Sequence, residues 1–221
     1  TQSRSSAASD VYKRQRKEVS FEKAQSGFMV ADPLTLYDCC PTSDGASAVI
    51  LAADHVVRQF TDDPVWLRSS GAGSDFLALH DRPSITQVRA TQQASNAAYK
   101  AAGITAADVD LAEVHDCFTI AELMATEDLG FADRGEGGVF AREQRGVRNQ
   151  GDVCINPSGG LKSKGHPLGA TGTGQAVEVF KQLRGSVEDA RQIRDAEIGI
   201  THNVGGSGAT CAVHVFGRDR A

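Results

Sequence analysis

The stretch EIGITHNVGGSGATCAVHVFG, Glu197 to Gly217, decides how this chain folds. It reads as a strand, a glycine-rich turn and a second strand. Ala209, Cys211, Val213 and Val215 alternate along one face of that second strand, the period of a half-buried strand.

Working upstream, helices and strands alternate. Ala176, Val179, Phe180 and Leu183 recur at helical spacing before Gly185. Between Cys154 and Gly174 lies a long glycine-rich connection, and the polar stretch Arg134 to Asp152 reads as a loop. Thr119 and Glu122 fit a T-x-x-E capping box, so a helix is expected from there to about Leu129, with Gly130 after it. Val109 to Val114 reads as a short strand, and Ser84 to Ala102 as an Ala-rich helix stopped by Gly103. Val65 to Gly73 reads as another strand. Ser43 to Phe60 reads as a turn, a buried strand near Ala46 to Leu51 and a short helix. This order indicates an α/β layered fold with a mixed sheet.

Bulk properties agree. The chain has 221 residues, 40% hydrophobic and 23% charged, enough apolar content for a real core. Only 6% are aromatic, against 23 glycines, which favours tightly packed layers with close backbone approaches. Net charge is −5, with basic density concentrated in YKRQRK, Tyr12 to Lys17. The remaining body is acidic, which argues against nonspecific nucleic-acid binding. No apolar run reaches the ~20 residues of a membrane span. Five cysteines (39, 40, 117, 154 and 211) without regular spacing point to a reducing, cytoplasmic setting. There is no CxxC pair, so no metal site is expected. Residues 1–16 lack an initiator Met and any periodicity; they are read as an artefact or disordered tail, and the chain as beginning in mid-protein.

Chemistry concentrates in VHDCFTIAEL, Val114 to Leu123. His115 and Cys117 sit in a strand-to-helix turn, where backbone N–H groups and the helix dipole are expected to lower a thiol pKa. A small core cysteine and a satisfied surface histidine fit these two residues equally well. His166, held between Gly165 and Pro167, is an aimed imidazole suited to activating a thiol, although a histidine in such a loop is more often ordinary. Phosphate-loop templates fail: Gly160 to Gly165 has P-loop spacing, but His166 stands where Lys is required. Lys162 and Lys164 could face an anionic ligand, or simply be solvated.

HDCF, NPSGGLKSKGHPLGATG and HNVGGSGA, in this order and spacing, resemble the C-terminal half of a thiolase. SDGASAVIL resembles the last strand of that family's N-terminal domain. The variety resembles the sterol-carrier-protein-type thiolases, and THNVGGSGAT the archaeal-type acetyl-CoA acetyltransferases. The resemblance implies a thiolase-like layered fold. Residues 17–62 would end the N-terminal domain with its last strand and helix. Residues 63–221 would form a C-terminal domain with a five-stranded mixed sheet.

It also implies an acyltransferase of lipid metabolism that takes a coenzyme A thioester as substrate, with no permanently bound cofactor. Cys117 would do acid/base work, replacing the Cys of the usual C-x-G motif, where this chain reads Asn203, Val204, Gly205. His115 would donate to an enolate or thioester oxygen, and His166 would activate the nucleophile. The Gly205 N–H would serve a second oxyanion hole, and Asn156, Lys164 and Asn203 would bind substrate. The nucleophilic Cys would lie upstream of this chain, since Cys39 and Cys40 lack the expected helix context. The partners implied are acyl-CoA, a second copy in a homodimer, and a small zinc-binding OB-fold protein. The alternative is a catalytically silent thiolase-like scaffold or acyl-CoA binder. A related carbon–carbon condensing enzyme is a third, weaker reading.

Overall fold

A computed structural model describes residues 19–220; the expectations for residues 1–16 lie outside them. In chain order the elements are α1 (Phe21–Gln25), β1 (Met29–Ala31), β2 (Leu34–Thr35), α2 (Asp54–Val57), β3 (Trp66–Ser74), α3 (Arg89–Ala102) and β4 (Leu111–Glu113). Then come α4 (Thr119–Asp128), α5 (Gly137–Arg142), β5 (Cys154–Ile155), α6 (Gly160–Lys164), α7 (Thr171–Leu183), β6 (Ile198–Gly205) and β7 (Thr210–Gly217).

The central sheet is five-stranded and mixed, in the order β3-β7-β6-β4-β5. The hairpin of β6 and β7 is its antiparallel spine. β3 adds antiparallel to β7, and β4 and β5 add parallel on the other side. Successive residues of β4 face opposite layers. Ala112 packs with Ala90, Ala94 and Ala98 of α3, and Leu111 packs with Val179 and Leu183 of α7. The fold is therefore α/β with a mixed sheet, as the sequence predicts, and helices cover both faces of that sheet.

Close packing explains the Ala and Gly content. Ala90, Ala94 and Ala98 recur one turn apart and are fully buried. A Cβ added at Gly71 would stand 2.0 Å from the Ala94 carbonyl oxygen, and one at Gly73 would stand 2.1 Å from that of Ala90. Helix and strand can approach this closely only because both lack bulk. Val213 and Val215 on β7 are also fully buried, each worth roughly 1.5–3 kcal/mol. Gly103 ends α3 in the left-handed region at φ 68°, as its position predicts.

Several expectations are corrected. Ala46 to Leu51 joins no ladder among the described residues, and Ile50 is 95% exposed. A strand needs a hydrogen-bonding neighbour, and none lies beside this stretch. Helix α3 begins at Arg89 and not near Ser84, because the Ser84 hydroxyl accepts from the Thr86 N–H in a local turn that competes with helix. The capping box at Thr119 does not form. Phe118 is the N-cap, the Thr119 hydroxyl donates to Asp38 and Glu122 accepts from Asn156. The loop expected over 134–152 contains α5, and the connection from Cys154 to Gly174 contains β5, α6 and the start of α7. On α7, Phe180 faces outward while Gln175, Glu178 and Gln182 are buried. Those polar side chains are satisfied: Gln182 donates to Glu178, which pairs with the buried Arg191.

Candidate active site

Three segments converge at one end of the sheet: the turn after β4, the turn before α7 and the end of β6. The imidazoles of His115 and His166 meet edge to face, with ring centroids 4.8 Å apart at 88°. Asn203, near the end of β6, places its Nδ2 3.4 Å from His115 Nδ1. A Cβ built on Gly172, in the first turn of α7, would touch Asn203 at 3.4 Å.

Hydrogen bonding assigns the tautomers. Gln175 Nε2 donates to the His202 carbonyl at 3.0 Å, which turns its Oε1 toward Asn203. Asn203 Nδ2 donates to that oxygen at 3.2 Å, so Asn203 presents its amino group to His115 as well. His115 Nδ1 is then an acceptor, and Nε2 carries the hydrogen. At His166, Nδ1 lies 2.7 Å from Thr171 Oγ1, whose own hydrogen goes to the Pro167 carbonyl. The Thr171 hydroxyl accepts from Nδ1–H, leaving His166 Nε2 with a lone pair. One ring therefore offers a donor and its neighbour offers a base.

Desolvation favours the neutral form of both rings. His115 is 8% exposed, and desolvation, followed by the nearby His166, lowers its pKa to about 4. Desolvation lowers His166 as well. Beneath them His202, 2% exposed, is pushed down to about 3 by burial and by His115. His202 Nδ1 accepts from the His115 backbone N–H at 3.4 Å, and its Nε2 lies 2.9 Å from the Thr91 hydroxyl. That hydroxyl donates onward to Cys211 Sγ. His202 is a support of the turn that sequence reasoning missed. Four successive residues of β6 are buried, so no alternation marks it out.

Cys117 overturns one expectation. Its thiol is raised to about 11, first by burial and then by electrostatic coupling to the neighbouring Cys40 and Asp116. Desolvation outweighs the helix start. The segment Cys39 to Thr42 threads between the two histidine turns. Cys40 N–H donates to the Cys117 carbonyl at 2.9 Å, and His166 N–H donates to the Pro41 carbonyl at 2.9 Å.

Other expected site residues are committed internally. Asn156, 3% exposed and at φ 51°, accepts from the Val114 N–H and donates to Glu122. Lys164 Nζ pairs with the buried Glu113 at 3.1 Å and contacts Ser158 Oγ at 2.7 Å. Lys162 donates to the Tyr37 carbonyl. Asn156 and Lys164, expected to bind substrate, and Lys162, read as ligand-facing or solvated, thus all brace the turns around the site. Asp116, fully buried, accepts from the Leu161 and Lys162 amides at the start of α6. Burial and then Glu122 raise its pKa to about 7. Gly205 closes β6 opposite Thr210. Among the described residues no group of three or more His, Cys, Asp or Glu is arranged to hold a metal.

The Thiolase C-terminal domain-like family matches residues 71–218. An acetyl-CoA acetyltransferase of Methanothermobacter thermautotrophicus is 53% identical over 201 residues, covering 91% of this chain and 52% of that protein. One from Methanocaldococcus jannaschii is 41% identical, covering 92% and 53%. Human sterol carrier protein 2 is 37% identical, covering 90% and 37%. The chain thus spans about half the length of the archaeal relatives. Among solved structures, an Ltp2-ChsH2(DUF35) aldolase superposes with a TM-score of 0.84 at 21% identity, over 100% of this chain and 56% of that one. With the family matched across the layers that bring His115, His166 and Asn203 together, the chain belongs to the thiolase family.

Proposed function

We propose that this chain forms the C-terminal catalytic half of an acyl-CoA acyltransferase that cleaves or forms 3-ketoacyl thioesters. The observation that carries the reading is the His115–His166 pair, which offers an Nε2–H donor beside an Nε2 base. A thioester carbonyl that gains negative charge needs such an aimed donor, and a thiol nucleophile needs such a base. Cys117 would supply the proton at the α-carbon. A thiol raised to about 11 is protonated at rest, which suits it to protonate a carbanion leaving during thiolysis. The Gly205 N–H would complete the second oxyanion site. The division near residue 62 would separate this half from the end of an N-terminal domain.

The acyl-accepting thiol would come from outside these residues. Cys39 and Cys40 follow a 3-10 turn and open no helix, and Cys154 and Cys211 are buried in the core. The substrate would be a coenzyme A thioester, with no resident cofactor. A homodimer and a small OB-fold partner are proposed as its assembly; the aldolase that shares its fold is named with ChsH2(DUF35). Its setting would be cytoplasmic, and no helix among the described residues is long and apolar enough to cross a membrane.

A second reading, a catalytically silent acyl-CoA binder, rests on the burial of Cys117, which favours its thiol over the thiolate that the base half of an acid/base role needs. Assays with acetoacetyl-CoA and CoA separate the two. The 221-residue chain alone should show no thiolysis, and joining it to a thiolase N-terminal domain should restore turnover. A joined protein that binds acetoacetyl-CoA without turnover would support the silent reading.

A further inference from the structure

Cys39 pairs with Phe118 across an isolated antiparallel bridge. One step along, Cys40 therefore stands directly opposite Cys117, and the Cys40 N–H to Cys117 carbonyl bond at 2.9 Å fixes that register. Residues directly opposite in an antiparallel pair point to the same face, with Cα atoms about 4.5–5.5 Å apart. That separation falls within the roughly 4.4–6.8 Å range that disulfides span. All five cysteines are free thiols, and Cys40 and Cys117 are only partly buried. Cys39 cannot compete readily: its side chain lies on the other face of the strand, with Sγ against the Thr35 carbonyl.

We infer that Cys40 and Cys117 form an oxidative modification site, closing to an intramolecular disulfide in the presence of a peroxide. The Cys40 thiolate attacks a peroxide oxygen, breaking the O–O bond and giving a sulfenic acid, with one oxygen leaving as water. The Cys117 thiolate then attacks that sulfur, forming the S–S bond and releasing the hydroxyl as a second water. Two thiols are oxidised by two electrons in all, and one hydrogen peroxide is reduced to two waters, so the step is balanced. Desolvation raises both thiols, which makes closure slower than at a dedicated sensor cysteine. The bond would remove the Cys117 proton and tie residues 39–42 to the turn. That consequence for activity rests on the acid/base reading of Cys117, whereas bond formation does not.

The test treats the purified 221-residue chain with hydrogen peroxide, blocks the remaining thiols by alkylation and maps peptides by mass spectrometry without reduction. The expected product is a Cys40–Cys117 linked peptide, two hydrogens lighter, that dithiothreitol reverses. Cys39→Ser should leave that link intact, and Cys40→Ser should abolish it. The proposal is overturned if Cys117 links to another cysteine, or reaches the sulfinic acid unlinked while Cys40 stays alkylatable. Because mass is the readout, this outcome is independent of whether the joined protein performs thiolysis.

Discussion

Asn203 donates toward His115 Nδ1 across 3.4 Å, so a residue near the end of β6 sets which nitrogen of His115 faces outward with a hydrogen. Asn203 is oriented in turn by Gln175, which is held by the His202 carbonyl. The donor is therefore fixed by side chains from the sheet and from α7. Asn203→Asp would make this position an acceptor that draws the hydrogen to Nδ1, reversing the tautomer. The check is the 15N chemical shifts of the His115 ring, which should exchange their protonated and unprotonated signatures in the variant.

The same burial predicts a titration order. In NMR experiments His115 and His202 should remain neutral at pH 5, with midpoints near 4 and 3. Either ring charging near pH 6.5 would show that the turn is open to water.

Acid stability follows with a definite sign. His115 and His202 have folded pKa values below the ordinary 6.5, so the unfolded chain takes up protons first. Their contribution to stability is lost as pH falls from about 6.5 toward 4 for His115 and toward 3 for His202. Asp116 acts oppositely. Its folded pKa of about 7 lies above the ordinary 3.8, so the native state takes up that proton first between those values. Asp116→Asn removes this compensation. Denaturant titrations should then fall more steeply with acid, by up to about 1.4 kcal/mol per pH unit between pH 4 and 6.5. An unchanged slope would show that Asp116 does not titrate in this window.

Gly71→Ala should destabilise the fold by about 3 kcal/mol, because the added carbon meets the Ala94 carbonyl oxygen at 2.0 Å and backbone must move. Chemical denaturation reads this directly, and a loss below about 0.5 kcal/mol would contradict the close contact of α3 and β3.

The sequence carries what is local. The β6–β7 hairpin is legible because its turn glycines and the alternation of Cys211, Val213 and Val215 lie within one stretch. The Gly103 stop is equally local. Residues 46–51 have the composition of a buried strand, but composition supplies no partner. Thr119 and Glu122 have capping spacing, yet Asp38 and Asn156, distant in sequence, claim their side chains. The histidine motifs could be picked out by type and by family resemblance. Their 4.8 Å approach, the support from His202 and the inward use of Lys164 depend on strand register and on long-range pairing.

The most direct measurement is thiolysis of acetoacetyl-CoA by this chain joined to a thiolase N-terminal domain, with Cys117→Ala and His166→Ala compared with the parent. Each change should lower kcat by roughly 10²–10⁴-fold, the usual worth of a positioned proton-transfer group, while folding and acetoacetyl-CoA binding persist. Parent-level turnover in either variant would contradict a shared catalytic role for the two turns.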